Sequence, residues 1–266
     1  MQALWISIFI LAGIGIAGVL ALFNRRWDAY IRAREDYDED VDGKMTKKEK
    51  EAFQARKEAE AKLTRMPFGD VVKERPGRFA ACLILGAVVS VSLVVRYGVN
   101  AASCTLLAFF LILILIAMID LDTMEIPFSL NVAVLALGGL SILTFQWTEP
   151  FSEITMVSRI IGMLCISVPM ILINLLISGA FGGGDVKLMI AAGFLLGWKM
   201  IVSGFFMGAI VGGAVGITVM LRKKKGGKEH IPFGPSLCVG MYLAVMLGTQ
   251  LIDWYIEILK RSMGKA

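Results

Sequence analysis

The fold is decided by Ala117-Met118-Ile119-Asp120-Leu121-Asp122-Thr123-Met124-Glu125-Ile126-Pro127, in which a long apolar segment ends in acidic residues and a proline. A second apolar segment is followed by Gly182-Gly183-Gly184-Asp185-Val186-Lys187. A carboxylate at the end of a membrane segment is costly unless it has a function or a partner. The two stretches therefore indicate membrane helices that present Asp120 and Asp185 to each other.

The rest of the chain is also strongly apolar, with 57% hydrophobic residues among 266. The apolar residues form blocks of roughly 18 to 22, the length that spans a bilayer core. We predict an all-α, polytopic membrane protein with about eight transmembrane helices, near 3–23, 80–97, 102–119, 128–145, 159–178, 186–198, 200–221 and 236–258. We place a break at Gly197-Trp198-Lys199, because the stretch from 186 to 221 is too long for one comfortable span.

Charge predicts the orientation of these helices. Region 24–78 holds 15 Lys/Arg and 13 Asp/Glu, and the loop 222–228 is basic. Positive residues favour the cytoplasm in short loops, so both regions are expected inside and the N-terminus outside. The same arrangement brings Asp120 and Asp185 to the cytoplasmic boundary. We expect a membrane anchor at 1–23, a charged cytoplasmic helical segment at 24–78 and a membrane-embedded domain at 79–260.

Paired carboxyl groups at one membrane surface have a defined chemistry. Two of them about 3 Å apart cannot both ionise cheaply, so the pair shares one proton. The ionised group can take a proton from a water that attacks a peptide carbonyl, while the protonated group donates to the carbonyl oxygen. Glycines 182–184 permit a close backbone approach beside Asp185, and Ile126-Pro127 interrupts helical geometry after Asp120.

Three motifs in this order resemble the prepilin peptidases, or type IV leader peptidases, of the G-x-G-D class of membrane aspartyl proteases. They are Asp120-x5-Ile126-Pro127, Gly182-Gly183-Gly184-Asp185-Val186-Lys187 and Pro232-Phe233-Gly234-Pro235, and the resemblance covers roughly residues 80–258. It implies catalytic roles for Asp120 and Asp185 in the inner (plasma) membrane. It also implies substrates that are prepilin or pseudopilin precursors, cut on the cytoplasmic side between a short basic leader and a hydrophobic helix. The residues expected to shape the site or contact substrate are Asp122, Glu125, Ile126, Pro127, Gly182, Gly183, Gly184, Lys187, Pro232, Phe233, Gly234 and Pro235.

The chain departs from many family members in the region after the first span. Those members carry two C-x-x-C pairs that bind zinc there, and the region accompanies methylation of the new N-terminus with S-adenosylmethionine. Residues 24–78 contain no cysteine, and the chain has one histidine, His230. We therefore expect no metal and no cofactor for proteolysis, with S-adenosylmethionine needed only if methyltransfer occurs. The expected partners are the precursors and the lipid bilayer, without nucleic acid.

Two other functions stay open from the residues alone. A proton-coupled transporter also uses paired membrane acids, but near the middle of the bilayer, and a family scaffold without catalysis would keep the fold. For a peptidase, an extended substrate must reach the acids, so we expect the loop 222–236 to gate the site. Asp122 and Glu125 are the expected contacts of a basic leader, whereas Lys187 can simply anchor its span.

Overall fold

The computed structural model describes residues 3–21, 76–177, 179–223, 232–247, 257–258 and 261. Most of the charged segment predicted at 24–78 lies outside these residues, and so do His230 and residues 224–231 of the predicted gate. The described elements are helices: α1 (Ala3–Ala21), α2 (Pro76–Tyr97), α3 (Ala101–Thr123), α4 (Phe128–Thr144), α5 (Met156–Cys165), α6 (Ser167–Leu176), α7 (Gly183–Lys223) and α8 (Gly234–Leu247), with two 3-10 turns at Phe145–Trp147 and Phe151–Glu153.

Helix length and composition confirm the prediction of an all-α, polytopic membrane protein. Six stretches in the described part of the chain are long and apolar enough to cross a membrane: Ala3–Ala21, Pro76–Tyr97, Ala101–Thr123, Phe128–Trp147, Met156–Leu176 and Gly183–Val219. Helix α8 is apolar but shorter. The predicted helices at 186–198 and 200–221 are the two halves of α7.

Helix α3 forms the centre of the bundle. It is apolar around its whole circumference. In its most apolar 18-residue stretch 67% of the residues are buried, against 22–28% in the corresponding stretches of the other five spans. A helix that is apolar on all sides favours burial on all sides. In its final turn Asp120 is buried, whereas the next residue, Leu121, is 49% exposed.

Helix α7 bends at Gly197, where φ is 74° and ψ is 170°. This conformation is essentially restricted to glycine, and it confirms the predicted break. A break frees carbonyl groups of the preceding turn. The buried Arg159 of α5 supplies hydrogen bonds to two of them, because its Nη1 donates to the carbonyls of Phe194 at 2.9 Å and Leu195 at 3.3 Å.

Small residues bring α7 close to its neighbours on both sides of the bend. A Cβ on Gly193 would lie 2.1 Å from the carbonyl oxygen of Gly162 in α5. A Cβ on Gly240 of α8 would lie 2.2 Å from the carbonyl oxygen of Gly204. Close backbone approach of this kind is how helices associate in membranes, where lipid leaves no hydrophobic force between them. It holds the start of α8 beside α7, and both helices begin next to the acids.

Candidate active site

Asp120 lies in the last turn of α3 and is 4% exposed. The helix ends three residues later, at Thr123. Met124 then adopts a left-handed conformation and donates its N–H to the Asp120 carbonyl. The Asp120 carboxylate accepts a hydrogen bond from the main-chain N–H of Gly234 at 2.9 Å. Gly234 is the first residue of α8, and a carboxylate at a helix N-terminus is favoured by the free N–H groups and the helix dipole. Asp120 thus caps a helix that lies 114 residues further along the chain.

Asp185 lies in the first turn of α7 and is 8% exposed. Its side chain reaches back to the main-chain N–H of Gly182, in the manner of the acidic residue of a capping box. Its Oδ1 atom is buried and has no hydrogen-bond partner among the described residues. The Asp185 and Asp120 carboxyl groups are close enough to interact electrostatically. Asp185 therefore caps α7, and its role as the partner of Asp120 stays a prediction.

The connection between α3 and α4 packs directly on the glycine run. A Cβ on Gly184 would lie 2.8 Å from the Cβ of Ile126, so only glycine fits this contact without movement. The Asn131 side chain of α4 is buried, and its Nδ2 donates to the Gly184 carbonyl at 3.4 Å. The segment after Asp120 thereby holds the segment before Asp185.

A thiol and a group of rings complete the surroundings of the two acids. Cys238 is buried and stands one helical turn after Gly234 on the same face of α8. Phe181, Phe205 and Phe233 pack against one another, with ring centroids 6.0 to 6.5 Å apart. This aromatic cluster joins the loop before α7, the half of α7 that follows Gly197 and the loop before α8.

The structure gathers part of the predicted residue set around the acids. Gly182 and Gly234 bond the two carboxylates, Ile126 contacts Gly184, and Phe233 lies in the aromatic cluster. Pro127 is buried, while Pro232 and Pro235 are half-buried. Gly183 is exposed, and a Cβ there would meet nothing within 4 Å. The catalytic roles of Asp120 and Asp185 stay predictions that this geometry supports.

Three charged residues of the predicted set stand apart from the paired acids. The exposed Lys187 places its Nζ 5.3 Å from the centre of the Phe128 ring, which suits the anchoring role. Asp122 forms an ion pair with Arg78 of α2, and its side chain is only 7% exposed. Glu125 is exposed in the α3–α4 connection. Contact of Asp122 with a basic leader stays a prediction, and it requires the leader to compete with Arg78.

Several residues around the acids were not predicted from the sequence: Asn131, Phe181, Phe205, Cys238 and Asn174 of α6, which hydrogen-bonds Phe181. An asparagine in an otherwise apolar helix is a visible signal, because its amide needs a partner in the membrane. The phenylalanines and Cys238 carry no comparable signal, since such residues fill the interior of any apolar bundle. Among the described residues, no group of three or more His, Cys, Asp or Glu side chains could hold a metal ion.

Comparisons with known proteins agree with the geometry. Residues 107–217 match the model of the type IV leader peptidase family. The prepilin leader peptidase/N-methyltransferase of Bacillus subtilis (strain 168) is 27% identical over 164 residues, which are 62% of this chain and 64% of the relative. The protein of the same name from Burkholderia pseudomallei (strain K96243) is 33% identical over 157 residues, 58% of this chain and 49% of the relative.

A third relative of the same name, from Legionella pneumophila, is 30% identical over 146 residues, 54% of this chain and 50% of the relative. The chain thus matches between half and two thirds of the length of these relatives. No solved structure matches it. The family match spans both acids, the Ile126-Pro127 connection and the glycine run, so this part of the chain is similar to the type IV leader peptidases, also called prepilin peptidases.

Proposed function

We propose that this protein is an aspartyl endopeptidase that removes the leader of type IV prepilin-like precursors at the cytoplasmic face of the inner membrane. One observation carries the proposal. Two buried carboxyl groups from distant parts of the sequence, Asp120 and Asp185, lie close enough to interact, and Asp185 Oδ1 has no partner among the described residues. A buried acid in a membrane protein is expensive unless it is paired or has chemical work to do.

The pair acts as one unit that holds a single proton. The ionised carboxylate takes a proton from a water molecule, whose oxygen attacks the scissile carbonyl carbon. The protonated carboxyl donates to the carbonyl oxygen as the tetrahedral intermediate forms. The C–N bond then breaks as the proton taken from water passes to the leaving amine. One hydroxyl of the intermediate returns its proton to the other carboxylate, which restores the single shared proton of the pair. The Gly234 and Gly182 N–H groups each bond one of the two carboxyl groups, and Asp185 Oδ1 has no hydrogen-bond partner among the described residues.

The location of the acids supports a peptidase over a transporter. Asp120 lies in the last turn of α3, and Asp185 in the first turn of α7. Both therefore lie at an end of a membrane span rather than in its middle, where transporters place their substrate and ion sites. The basic loop 222–228 supports a cytoplasmic position for this end, because positive residues favour the cytoplasm in short loops.

The substrate must reach the acids in an extended form, because a helix hides its carbonyls in its own hydrogen bonds. A precursor cut just before a hydrophobic helix meets this need, since the leader is extended while the helix stays in the bilayer. Gating of the site by the loop 222–236 stays a prediction, because residues 224–231 lie outside the described part of the chain. The relatives' names also include N-methyltransferase, and methylation with S-adenosylmethionine is a separate proposal.

Co-expression with candidate precursors tests the proposal. The host lacks its own prepilin peptidase, and the product is examined by N-terminal sequencing and mass measurement. We expect one cut at the start of the hydrophobic segment, and an added methyl mass would establish methyltransfer. Failure to cut any precursor with a basic leader would refute the function, and cleavage by an Asp185→Asn protein would refute the assigned site.

A further inference from the structure

Asn174 is a polar residue in the apolar sequence of α6, Ser167–Leu176. The residues after it, Leu175 and Leu176, are 77% and 84% exposed, as expected of side chains that face lipid. The Asn174 amide uses both of its polar atoms on one residue. Its Nδ2 donates to the Phe181 carbonyl at 2.9 Å, and its Oδ1 accepts the Phe181 N–H at 2.7 Å. Both distances are those of good hydrogen bonds.

Phe181 needs such a partner because it lies between two helices. Helix α6 ends at Leu176 and α7 begins at Gly183, so neither helix supplies bonds for the Phe181 main chain. Unsatisfied main-chain groups are costly at membrane depth, and irregular backbone is tolerated there only where protein or water covers it. Asn174 supplies both missing partners in place of a helix.

Phe181 is also connected to both acids. Along the chain it is followed by the glycine run, whose Gly182 bonds the Asp185 carboxylate. Through its ring it contacts Phe233 at 6.0 Å between centroids. Phe233 directly precedes Gly234, whose N–H bonds Asp120.

The glycine run cannot fix its own conformation. Glycine has no side chain to pack and the widest choice of backbone angles. The place of Asp185 therefore depends on what holds the ends of the run. Gly184 is held by Ile126 and by the 3.4 Å bond from Asn131, while Phe181 is held by the two shorter bonds from Asn174.

We propose that Asn174 is a positioning residue of the peptidase site, which fixes Asp185 relative to Asp120 by holding both main-chain polar groups of Phe181. The inference rests on the proposed function for its kinetic consequence. Its structural part, the clamp on Phe181, can be measured without any cleavage.

The test uses full-length protein in detergent or nanodiscs, with Asn174→Leu, Asn174→Asp and the control Leu175→Ala. Leu at 174 has a similar size but no polar atoms, so both bonds to Phe181 are lost. We expect kcat for a prepilin-like substrate to fall by about ten- to a hundredfold, since misplacement by about 1 Å costs about that much. KM should change by less than about twofold, because the substrate-binding surface is untouched. The Leu175→Ala protein should cleave like the wild type.

Hydrogen–deuterium exchange provides the second readout. The amide of Phe181 should exchange faster in Asn174→Leu than in the wild type, whereas Leu175→Ala should leave it protected. Asn174→Asp keeps the acceptor for the Phe181 N–H but loses the donor to its carbonyl, so its kcat should fall less. If Asn174→Leu does not fold, Asn174→Asp decides the question.

Each outcome bears on the proposal. Unchanged kcat in Asn174→Leu, an equal loss in Leu175→Ala, or unchanged exchange at Phe181 would overturn it. If Asn174→Leu does not fold, wild-type kcat in Asn174→Asp would do the same. A wild-type protein that cleaves no precursor would refute the proposed function, while the exchange data would still test the clamp.

Discussion

Gly234→Ala is the substitution for which the structure gives the sharpest expectation. The added Cβ would lie 2.6 Å from Asp120 Oδ2 and 3.0 Å from its Cγ. The first distance is about 0.8 Å short of the 3.4 Å at which ordinary contact begins. The carboxylate and the start of α8 must therefore move apart, and the 2.9 Å hydrogen bond from the Gly234 N–H must lengthen.

The expected cost follows from the size of this displacement. A misplacement of about 1 Å at an active site costs about 10²-fold in rate. We therefore expect kcat to fall about 30- to 100-fold, which corresponds to about 2–3 kcal/mol of activation free energy. Overpacking also lowers the free energy of unfolding by about 1–3 kcal/mol, so thermal unfolding of each variant is measured beside its activity.

The assay follows the initial rate of leader removal by purified protein in detergent. Gly139→Ala is the matched control, because Gly139 lies within α4 and a Cβ there would meet nothing within 4 Å. It should cleave at the wild-type rate. The reasoning fails if Gly234→Ala keeps wild-type kcat, or if Gly139→Ala loses as much.

Three further predictions concern the acids, the leader and metal. Asp120→Asn and Asp185→Asn should each remove nearly all cleavage while the protein still inserts into the membrane, whereas Asp122→Asn should retain substantial activity. Immunoblots of membrane fractions measure insertion, and sequencing of the product measures cleavage. Full processing by the Asp120→Asn or the Asp185→Asn protein would contradict the prediction. Replacing Asp122 and Glu125 together by neutral amides should weaken cleavage of basic-leader substrates more than of neutral-leader ones, and equal losses in paired kinetic assays would exclude a leader contact. Chelator should leave the rate unchanged, and stoichiometric zinc in elemental analysis of the active protein would disprove the prediction.

The acids could be predicted from the sequence because their setting is chemically unusual. Asp120 and Asp185 each stand at the end of a long apolar segment, and few roles justify the cost of a carboxylate there. The bend at Gly197 was predictable for a similar reason, since length and a glycine both argued against one straight span. Hydropathy, segment length and a glycine are local properties, so they can be assessed without knowing which helices pack against each other.

The partners of the acids could not be predicted in this way. The sequence favours Asp122 as readily as Asp120 for a helix-end acid, yet α2 supplies Arg78 to Asp122, while α8 supplies the Gly234 N–H to Asp120. Asn174 is conspicuous in α6, but nothing in the sequence says that it holds Phe181. Such contacts depend on which helices are neighbours and on how each is rotated about its axis.

The sequence by itself determined that the chain is a bundle of membrane helices with two acids at helix ends, because hydropathy, helix length and the cost of a buried charge act within single segments. Only the tertiary structure decided that these acids lie near enough to interact, that Gly234 and Gly182 bond them, and that Asn174 holds the loop between α6 and α7. The physical reason lies in the close contacts of α7 with α5 and α8. Small residues let the helix backbones approach closely at these contacts. The contacts form only when segments that are far apart in sequence pack together.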